Sequence, residues 1–426
     1  MTAPDAGISL PLRRVLVVAF NFPPMAGSSG VQRPLSLVRY LPALGWQPIV
    51  LSAHPRAYER TADDLLSEIP PSTPVSRTFA VDTARHLKVL DRYPGFLARP
   101  DRWMSWYWSA VPAGMRLIRE FQPSAIWSTY PIATAHLIGA RLHARSGLPW
   151  IADFRDPMAQ EGYPADPKTW RAFKQIEEDA AANAARLVFV TPGAMKMYAT
   201  RYPNTPRENF AVVENGYDEA LFESAERQVK EPGKLRPGRV TLLHSGIVYP
   251  SERDPTALFA ALGRLRQRGR IDADNFCILF RAPLHDDLLI DLGRKYQVSD
   301  LVEIAPAIPY REALAEMMRA DGLVVMQADN CNEQIPAKLY EYLRARRPIL
   351  GLADPVGDTA QAMQAAGVRH IAKLEDSDAV ETALDQFVRS IADGSPALPD
   401  ESAILAASRE SRMREIAALL DRVAAR

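Results

Sequence analysis

Residues 15–20, Val-Leu-Val-Val-Ala-Phe, are apolar at every position, and this run constrains the chain more than any other feature. A strand with one face in water alternates apolar and polar side chains. A run apolar in both phases is buried on both faces and belongs to a parallel sheet covered by helices. The continuation agrees. A Pro/Gly/Ser loop fills 23–30, the stretch 31–44 reads as a helix closed by Gly45 as its C-cap, and 48–51 is a second apolar run. Strand, loop, helix and strand in this order make a doubly wound α/β unit.

The pattern resumes with strands expected at 124–127, 150–153, 187–190 and 211–213, and helices at 133–145 and 170–183. Residues 219–238 are charged and irregular, ending in Glu231-Pro232-Gly233-Lys234-Leu235-Arg236-Pro237-Gly238, and read as an interdomain linker. A second alternating series follows, with strands expected at 240–243, 277–280, 302–304, 323–325 and 349–352. A final amphipathic helix is expected at about 403–424, with Ile404, Leu405, Met413, Ile416 and Leu420 as its buried positions. A chain of 426 residues suits two large domains at roughly 100–200 residues each. The expected organisation is a first α/β domain at 1–218, a linker at 219–238, a second α/β domain at 239–402 and a terminal helix at 403–426. The two sandwiches are expected to face a cleft.

Composition excludes more than it selects. The chain has 51 basic and 51 acidic residues, so no global field argues for nucleic-acid binding. Its two cysteines, Cys277 and Cys331, have no metal-ligand spacing, which points to a reducing compartment without a disulfide framework. Residues 1–11 lack the layout of a secretory leader, and no stretch reaches the ~18 apolar residues of a membrane span. The expectation is a cytoplasmic protein.

Chemistry concentrates in Asn332-Glu333-Gln334-Ile335-Pro336-Ala337-Lys338-Leu339-Tyr340-Glu341-Tyr342-Leu343. Pro336 suits a first helical position, and the N–H groups beyond it would form an anion site. Lys338 in that first turn opposes the helix dipole, a conflict that a bound diphosphate would resolve. Glu333 and Glu341 flank the place, and carboxylates accept hydrogen bonds from sugar and ribose hydroxyls. A surface helix with ordinary charges would read the same way.

With Glu333 and Glu341 in E-x7-E spacing, followed by Arg347-Pro348-Ile349-Leu350, the chain resembles the retaining GT-B glycosyltransferases of family 4, in particular bacterial polysaccharide-building members. The resemblance implies two Rossmann-like domains facing a cleft, with the terminal helix packing back on the first. It implies a nucleotide-diphosphate sugar as donor, a saccharide or lipid-linked acceptor, and no metal or cofactor. It gives Glu333 to the donor hexose and Glu341 to the ribose. Leu339 and Gly246 join the donor-binding set, Gly246 through the glycine turn of His244-Ser245-Gly246. Family members often carry Arg immediately after this glycine. Ile247 stands there, which leaves Arg253 and Lys338 to hold the diphosphate.

In the first domain the resemblance places the loop Gly27-Ser28-Ser29-Gly30 over donor phosphates and acceptor, with Arg33 on the following helix either in the cleft or exposed. His136 is a candidate beside the donor sugar, or else a structural histidine. Asp153, Arg155 and Asp156 follow an apolar strand and line an acceptor pocket or form a local ion pair. The implied catalytic set is Glu333, His136, Lys338 and Arg253. Asn215-Gly216-Tyr217-Asp218 resembles a turn before the family's linker. The stretch 92–108 holds Arg92, Tyr93, Phe96, Arg99, Arg102, Trp103, Trp106, Tyr107 and Trp108, which suits either a membrane surface or a helix with core aromatics. A nucleotide-sugar epimerase or an inactive scaffold of the same architecture are the competing readings.

Overall fold

The computed structural model describes residues 13–87, 93, 95–228 and 233–425. The chain separates into two compact units. One comprises Met1–Val190, Ala194–Glu214 and Arg412–Arg426, the other Thr191–Gly193 and Asn215–Ser411.

The first unit holds seven strands: β1 (Arg13–Ala19), β2 (Trp46–Ala53), β3 (Val75–Thr78), β4 (Ala125–Thr129), β5 (Trp150–Arg155), β6 (Arg186–Phe189) and β7 (Phe210–Val212). They form one parallel sheet in the order β3-β2-β1-β4-β5-β6-β7. The all-apolar β1 feeds two cores at once. Leu16 and Val18 join Trp106, Ile138 and Leu142 on one face. Val15 and Val17 join Leu37, Met413, Ile416 and Leu420 on the other. Each such side chain contributes roughly 1.5–3 kcal/mol by burial, which is why a period-2 pattern is absent here.

The second unit holds β8 (Val240–Ser245), β9 (Phe276–Arg281), β10 (Val302–Ala305), β11 (Gly322–Gln327), β12 (Ile349–Ala353) and β13 (His370–Ala372), parallel and ordered β10-β9-β8-β11-β12-β13. Both sheets have the order 3-2-1-4 at their centre, the doubly wound arrangement read from the sequence.

Three expectations change. The stretch 219–238 is not an irregular linker throughout. It opens with the helix Glu219–Gln228, whose Phe222 and Ala225 are buried in the second unit's core. The charges that suggested solvation bind back onto the fold. Arg344 pairs with Glu219 and Glu226, Lys234 with Asp321 at 2.9 Å, and Arg236 with Glu303 at 2.5 Å. Residues 229–232 lie outside the described residues. The terminal helix is two helices, Glu401–Ala406 and Arg409–Ala424. The break resets the helical phase, so Leu405 points outward, 56% exposed, while Ile404, Met413, Ile416 and Leu420 are buried.

The aromatic stretch near residue 100 runs into the helix Ser105–Phe121. Trp106 is a core residue and Trp108 is 72% exposed. Arg92 and the side chain of Phe96 lie outside the described residues.

Candidate active site

In an open α/β sheet, ligands bind beyond the carboxyl ends of the strands where the strand order reverses. In the second unit that point lies between β8 and β11. His244 and Ser245 end β8, and Gly246 follows with φ +109°, a conformation essentially confined to glycine. A Cβ at Gly246 would stand 3.2 Å from the Lys338 Nζ. Glycine here lets the backbone lie against the ammonium group.

His244 is fully buried and organises this cluster. Its Nδ1 lies 2.9 Å from the Val324 carbonyl, so Nδ1 carries the proton and donates. Nε2 then presents a lone pair to the Lys338 Nζ at 3.1 Å. Burial first, and the Lys338 charge next, hold the imidazole well below its usual range, consistent with this neutral form. Burial and the Arg253 guanidinium push the Lys338 ammonium down to about 7, with Glu341 opposing. Arg253 donates to the Ile247 carbonyl at 3.1 Å, lies 5.2 Å over the Tyr249 ring, and leaves its buried Nε without a partner. The cluster therefore combines a desolvated ammonium, a neighbouring guanidinium and a donor without a partner, the electrostatic profile of a place that receives an anion.

The two glutamates differ in setting. Glu341 accepts a hydrogen bond from the Tyr310 hydroxyl, and burial pushes its carboxyl up against the pull of Tyr310, Arg409 and Lys338. Glu333 is exposed on the loop after β11. That loop is fixed on both sides of it: the Asp358 N–H donates to the Asn332 carbonyl at 2.8 Å, Asn332 Nδ2 donates to Asp354 at 3.0 Å, and Thr359 Oγ1 donates to the Gln334 carbonyl at 2.7 Å.

Leu339 does not belong to the donor-binding set. Its side chain is fully buried in the core and its N–H is used by the Pro336 carbonyl at 2.9 Å. Pro336 is not the first helical residue either. The helix is Lys338–Arg344, and the Tyr340 N–H also turns back, onto Ala337 at 3.2 Å. The free amides expected from the sequence are thus largely consumed, and side-chain cations carry the positive potential instead. Tyr310, Tyr342 and Arg409 were not foreseen. Tyr342 accepts a hydrogen bond from the Ser245 N–H at 2.8 Å, and Tyr310 meets Glu341 across a sequence separation with no local signal.

The first unit has its own cluster where β1 and β4 diverge. Asn21 follows β1, and its Nδ2 donates to Ser28 Oγ at 3.3 Å. The same oxygen accepts from the Gly30 N–H at 3.1 Å. A Cβ at Gly30 would fall 2.3 Å from Asn21 Nδ2, so a larger residue would displace the Asn21 amide, while Gly27 is set by its φ of +80°. The Ser29 side chain lies outside the described residues. Arg33 is neither in open solvent nor loosely held. It is 6% exposed, with Nε 2.9 Å from Asp153 Oδ2 and Nη1 3.0 Å from the Val213 carbonyl. Thr129 Oγ1 donates to the same Asp153 oxygen at 2.8 Å. Arg155, after a register shift in β5, adopts φ +59° and reaches toward the Gly30 carbonyl at 3.5 Å. Asp156, next to it, is exposed.

His136 leaves the catalytic set. It is fully buried and packs against Phe154, at 4.8 Å between ring centroids. Trp150 Nε1 donates to Ser128 Oγ at 2.7 Å, and that hydroxyl in turn meets His136 Nδ1 at 2.8 Å. Burial pushes the imidazole down to about 3, so it is a neutral core group that substrate does not reach. Its place at the start of the helix Ala133–Ser146 made it look accessible, but the helix turns that face inward. Among the described residues, no group of three or more His, Cys, Asp or Glu side chains could hold a metal ion.

Two Rossmann-like units, each with a charged cluster at its strand divergence, define the GT-B fold. Residues 30–216 match the family model of the glycosyl transferase 4-like domain. No curated protein matches it by sequence. Among solved structures it is similar to a glycosyltransferase from Rickettsia africae ESF-5 (TM-score 0.60, 11% identity, covering 96% of this chain and 98% of that one). It is similar to Anabaena Alr3699/HepE in complex with UDP and glucose (TM-score 0.61, 12% identity, 96% and 100% covered). It is also similar to the α,α-trehalose 6-phosphate synthase of Burkholderia multivorans (TM-score 0.62, 13% identity, 97% of each chain covered).

Proposed function

We propose that this protein is a glycosyltransferase that moves a hexose from a nucleoside-diphosphate sugar to a hydroxyl of a saccharide or lipid-linked acceptor, with retention of configuration, in cell-surface polysaccharide or glycoconjugate synthesis. The observation that carries the reading is the cluster of His244, Gly246, Arg253 and Lys338, in which a desolvated ammonium and the unpartnered Arg253 Nε lie at one glycine turn. The similar Anabaena structure, solved with UDP and glucose, supports a nucleotide sugar as that ligand.

In this reading the acceptor hydroxyl forms a bond to the sugar's anomeric carbon as the bond from that carbon to the diphosphate oxygen breaks. The hydroxyl proton passes to a diphosphate oxygen on the same face, so no protein nucleophile takes part. Lys338 and Arg253 stabilise the charge growing on the leaving diphosphate. Glu341 holds the ribose hydroxyls and Glu333 the hexose. The cations take the role a metal would otherwise fill, so transfer proceeds without metal or cofactor. Phe79 and Trp108, 53% and 72% exposed, with Arg56 6.0 Å over the Phe79 ring, support contact with an anionic membrane surface. No helix among the described residues is long and apolar enough to cross a membrane.

The test is a panel of nucleotide sugars assayed in chelator for transfer, donor hydrolysis and epimerisation. Glu341→Ala is expected to weaken donor binding, and Glu333→Ala to lower turnover, each by roughly 10- to 150-fold for hydrogen bonds to a charged group. Near-wild-type kinetics of both variants, an epimerised donor, or activity restored only by added metal would overturn the assignment.

A further inference from the structure

The cluster in the first unit is internally unbalanced. Four of its side-chain atoms are buried without a hydrogen-bond partner: Asn21 Oδ1, Arg33 Nη2, Asp153 Oδ1 and Arg155 Nε. Asn21, Arg33 and Asp153 are each more than nine-tenths buried. Buried polar atoms normally find partners, and each orphan costs about 1–3 kcal/mol. Four at one sheet end point to a group that is not protein. Two of the four are acceptors and two are guanidinium donors, so the missing group must both donate hydroxyl protons and accept from guanidinium.

The backbone is shaped for the same end. β5 shifts register between Asp153 and Arg155, and Arg155 takes a left-handed conformation that a side chain other than glycine rarely adopts. This turn keeps the Arg155 side chain at the sheet end, beside the glycine loop, where its Nη1 lies 3.5 Å from the Gly30 carbonyl. The pairing is uneven. Arg33 is matched by Asp153 at 2.9 Å, whereas Arg155 forms no ion pair with either neighbouring aspartate. Desolvation disfavours the Arg155 charge, while Asp156 and Asp153 favour it from beyond ion-pair distance.

We infer that the network of Asn21, Arg33, Asp153 and Arg155 binds an acceptor that is itself anionic: a polyhydroxy compound whose phosphate or carboxylate is gripped by Arg155, with its hydroxyls received by Asn21 and Asp153. The inference rests on the acceptor-side reading of this cluster and narrows it to one chemical class. Arg155 selects the acceptor, and the Arg33–Asp153 pair positions it.

The experiment titrates the full chain, saturated with UDP, with glucose, glucose 6-phosphate, glucuronate and a hexose linked to a polyprenyl diphosphate in detergent. Binding is followed by calorimetry, so no turnover is needed. At least one anionic compound is expected to bind about tenfold or more tightly than glucose, because a charge-assisted bidentate contact is worth at least that much. The arm that binds identifies phosphate, carboxylate or lipid diphosphate as the source. Arg155→Gln is expected to abolish the discrimination and Arg155→Lys to restore part of it, with UDP affinity unchanged in both. Equal binding of glucose and the anionic compounds, no binding by any of them, or discrimination that survives Arg155→Gln would overturn the inference. UDP affinity, measured in the same samples, reports separately on the donor reading: its failure would sink that reading and leave the acceptor result to stand by itself.

Discussion

Replacing Lys338 with Met removes a charge while keeping an unbranched stem beside Gly246, and its effect depends on pH in a way that only the proposed site produces. With the ammonium held at about 7, Lys338 is mostly charged at pH 6.5 and almost entirely neutral at pH 9. Charging it before an anion binds then costs about 0.2 kcal/mol at the lower pH and about 2.7 kcal/mol at the higher. If its contact with a diphosphate contributes roughly 1.5–3 kcal/mol when charged, Lys338→Met weakens UDP binding roughly 10- to 150-fold at pH 6.5. At pH 9 the wild type has lost most of that advantage, so the two proteins approach one another. The ratio of their dissociation constants also cancels the titration of UDP itself. Calorimetric titration at half-unit steps from pH 6.5 to 9 gives the ratio directly. A ratio that stays flat and large would mean an ammonium that never loses its proton, and a ratio near one throughout would mean Lys338 does not touch the nucleotide.

Two further outcomes follow from the same geometry. His136→Ala is expected to lower the unfolding free energy by about 2–4 kcal/mol through the cavity it leaves, read as a lower melting temperature, while UDP affinity is retained. Because folding depresses the His136 pKa from 6.5 to about 3, its contribution is present above pH 6.5 and is lost as pH falls toward 3. The variant's deficit should therefore shrink by up to about 1.4 kcal/mol per pH unit below 6.5, and a deficit constant with pH would refute the buried-neutral account. Gly246→Ala meets a φ of +109° and the Lys338 Nζ 3.2 Å away. It is expected to cost about 1–3 kcal/mol of stability and to weaken UDP binding by displacing Lys338, both measurable in one thermal titration with and without ligand. An unshifted melting curve would show that the loop relaxes freely.

The parallel strands were legible because they are apolar in both phases, as β1 and β11 show: Leu16 and Val17, or Val324 and Val325, feed opposite cores. β3 and β13 escaped notice. They are short and only partly buried, so neither carries that signature. The glutamate spacing marks the segment that carries Lys338 and Glu341, but the local helix rules misplaced the helix start, since the chain spends the first-turn amides on Pro336 and Ala337. Long-range partners left no mark at all. Nothing near His244 announces Lys338, 94 residues away, and nothing near Arg33 announces Asp153, 120 residues away. His136 misled for the same reason: a residue's distance from a helix start is local, whereas the face it turns to the core is settled by Trp150 and Phe154.

The helix Arg409–Ala424 has a consequence for how the protein is made. From Arg412 onward it belongs to the first unit, where Met413, Ile416, Leu420 and Val423 cover Val15, Val17, Trp127 and Ile151. A ribosome delivers those strands early and their cover last, with the about 200 residues of the other unit in between, or roughly 10–40 s of synthesis at ordinary speeds. Throughout that interval the rear of the first sheet presents bare valine and tryptophan to the cell. The later-encoded unit, nearly continuous in sequence, can complete its core before the earlier one, so the usual order of vectorial folding is reversed. A nascent chain of this design depends on whatever shields an apolar sheet face during translation. A fragment ending at Glu214, although it contains every strand of the first sheet, would emerge as an aggregating half.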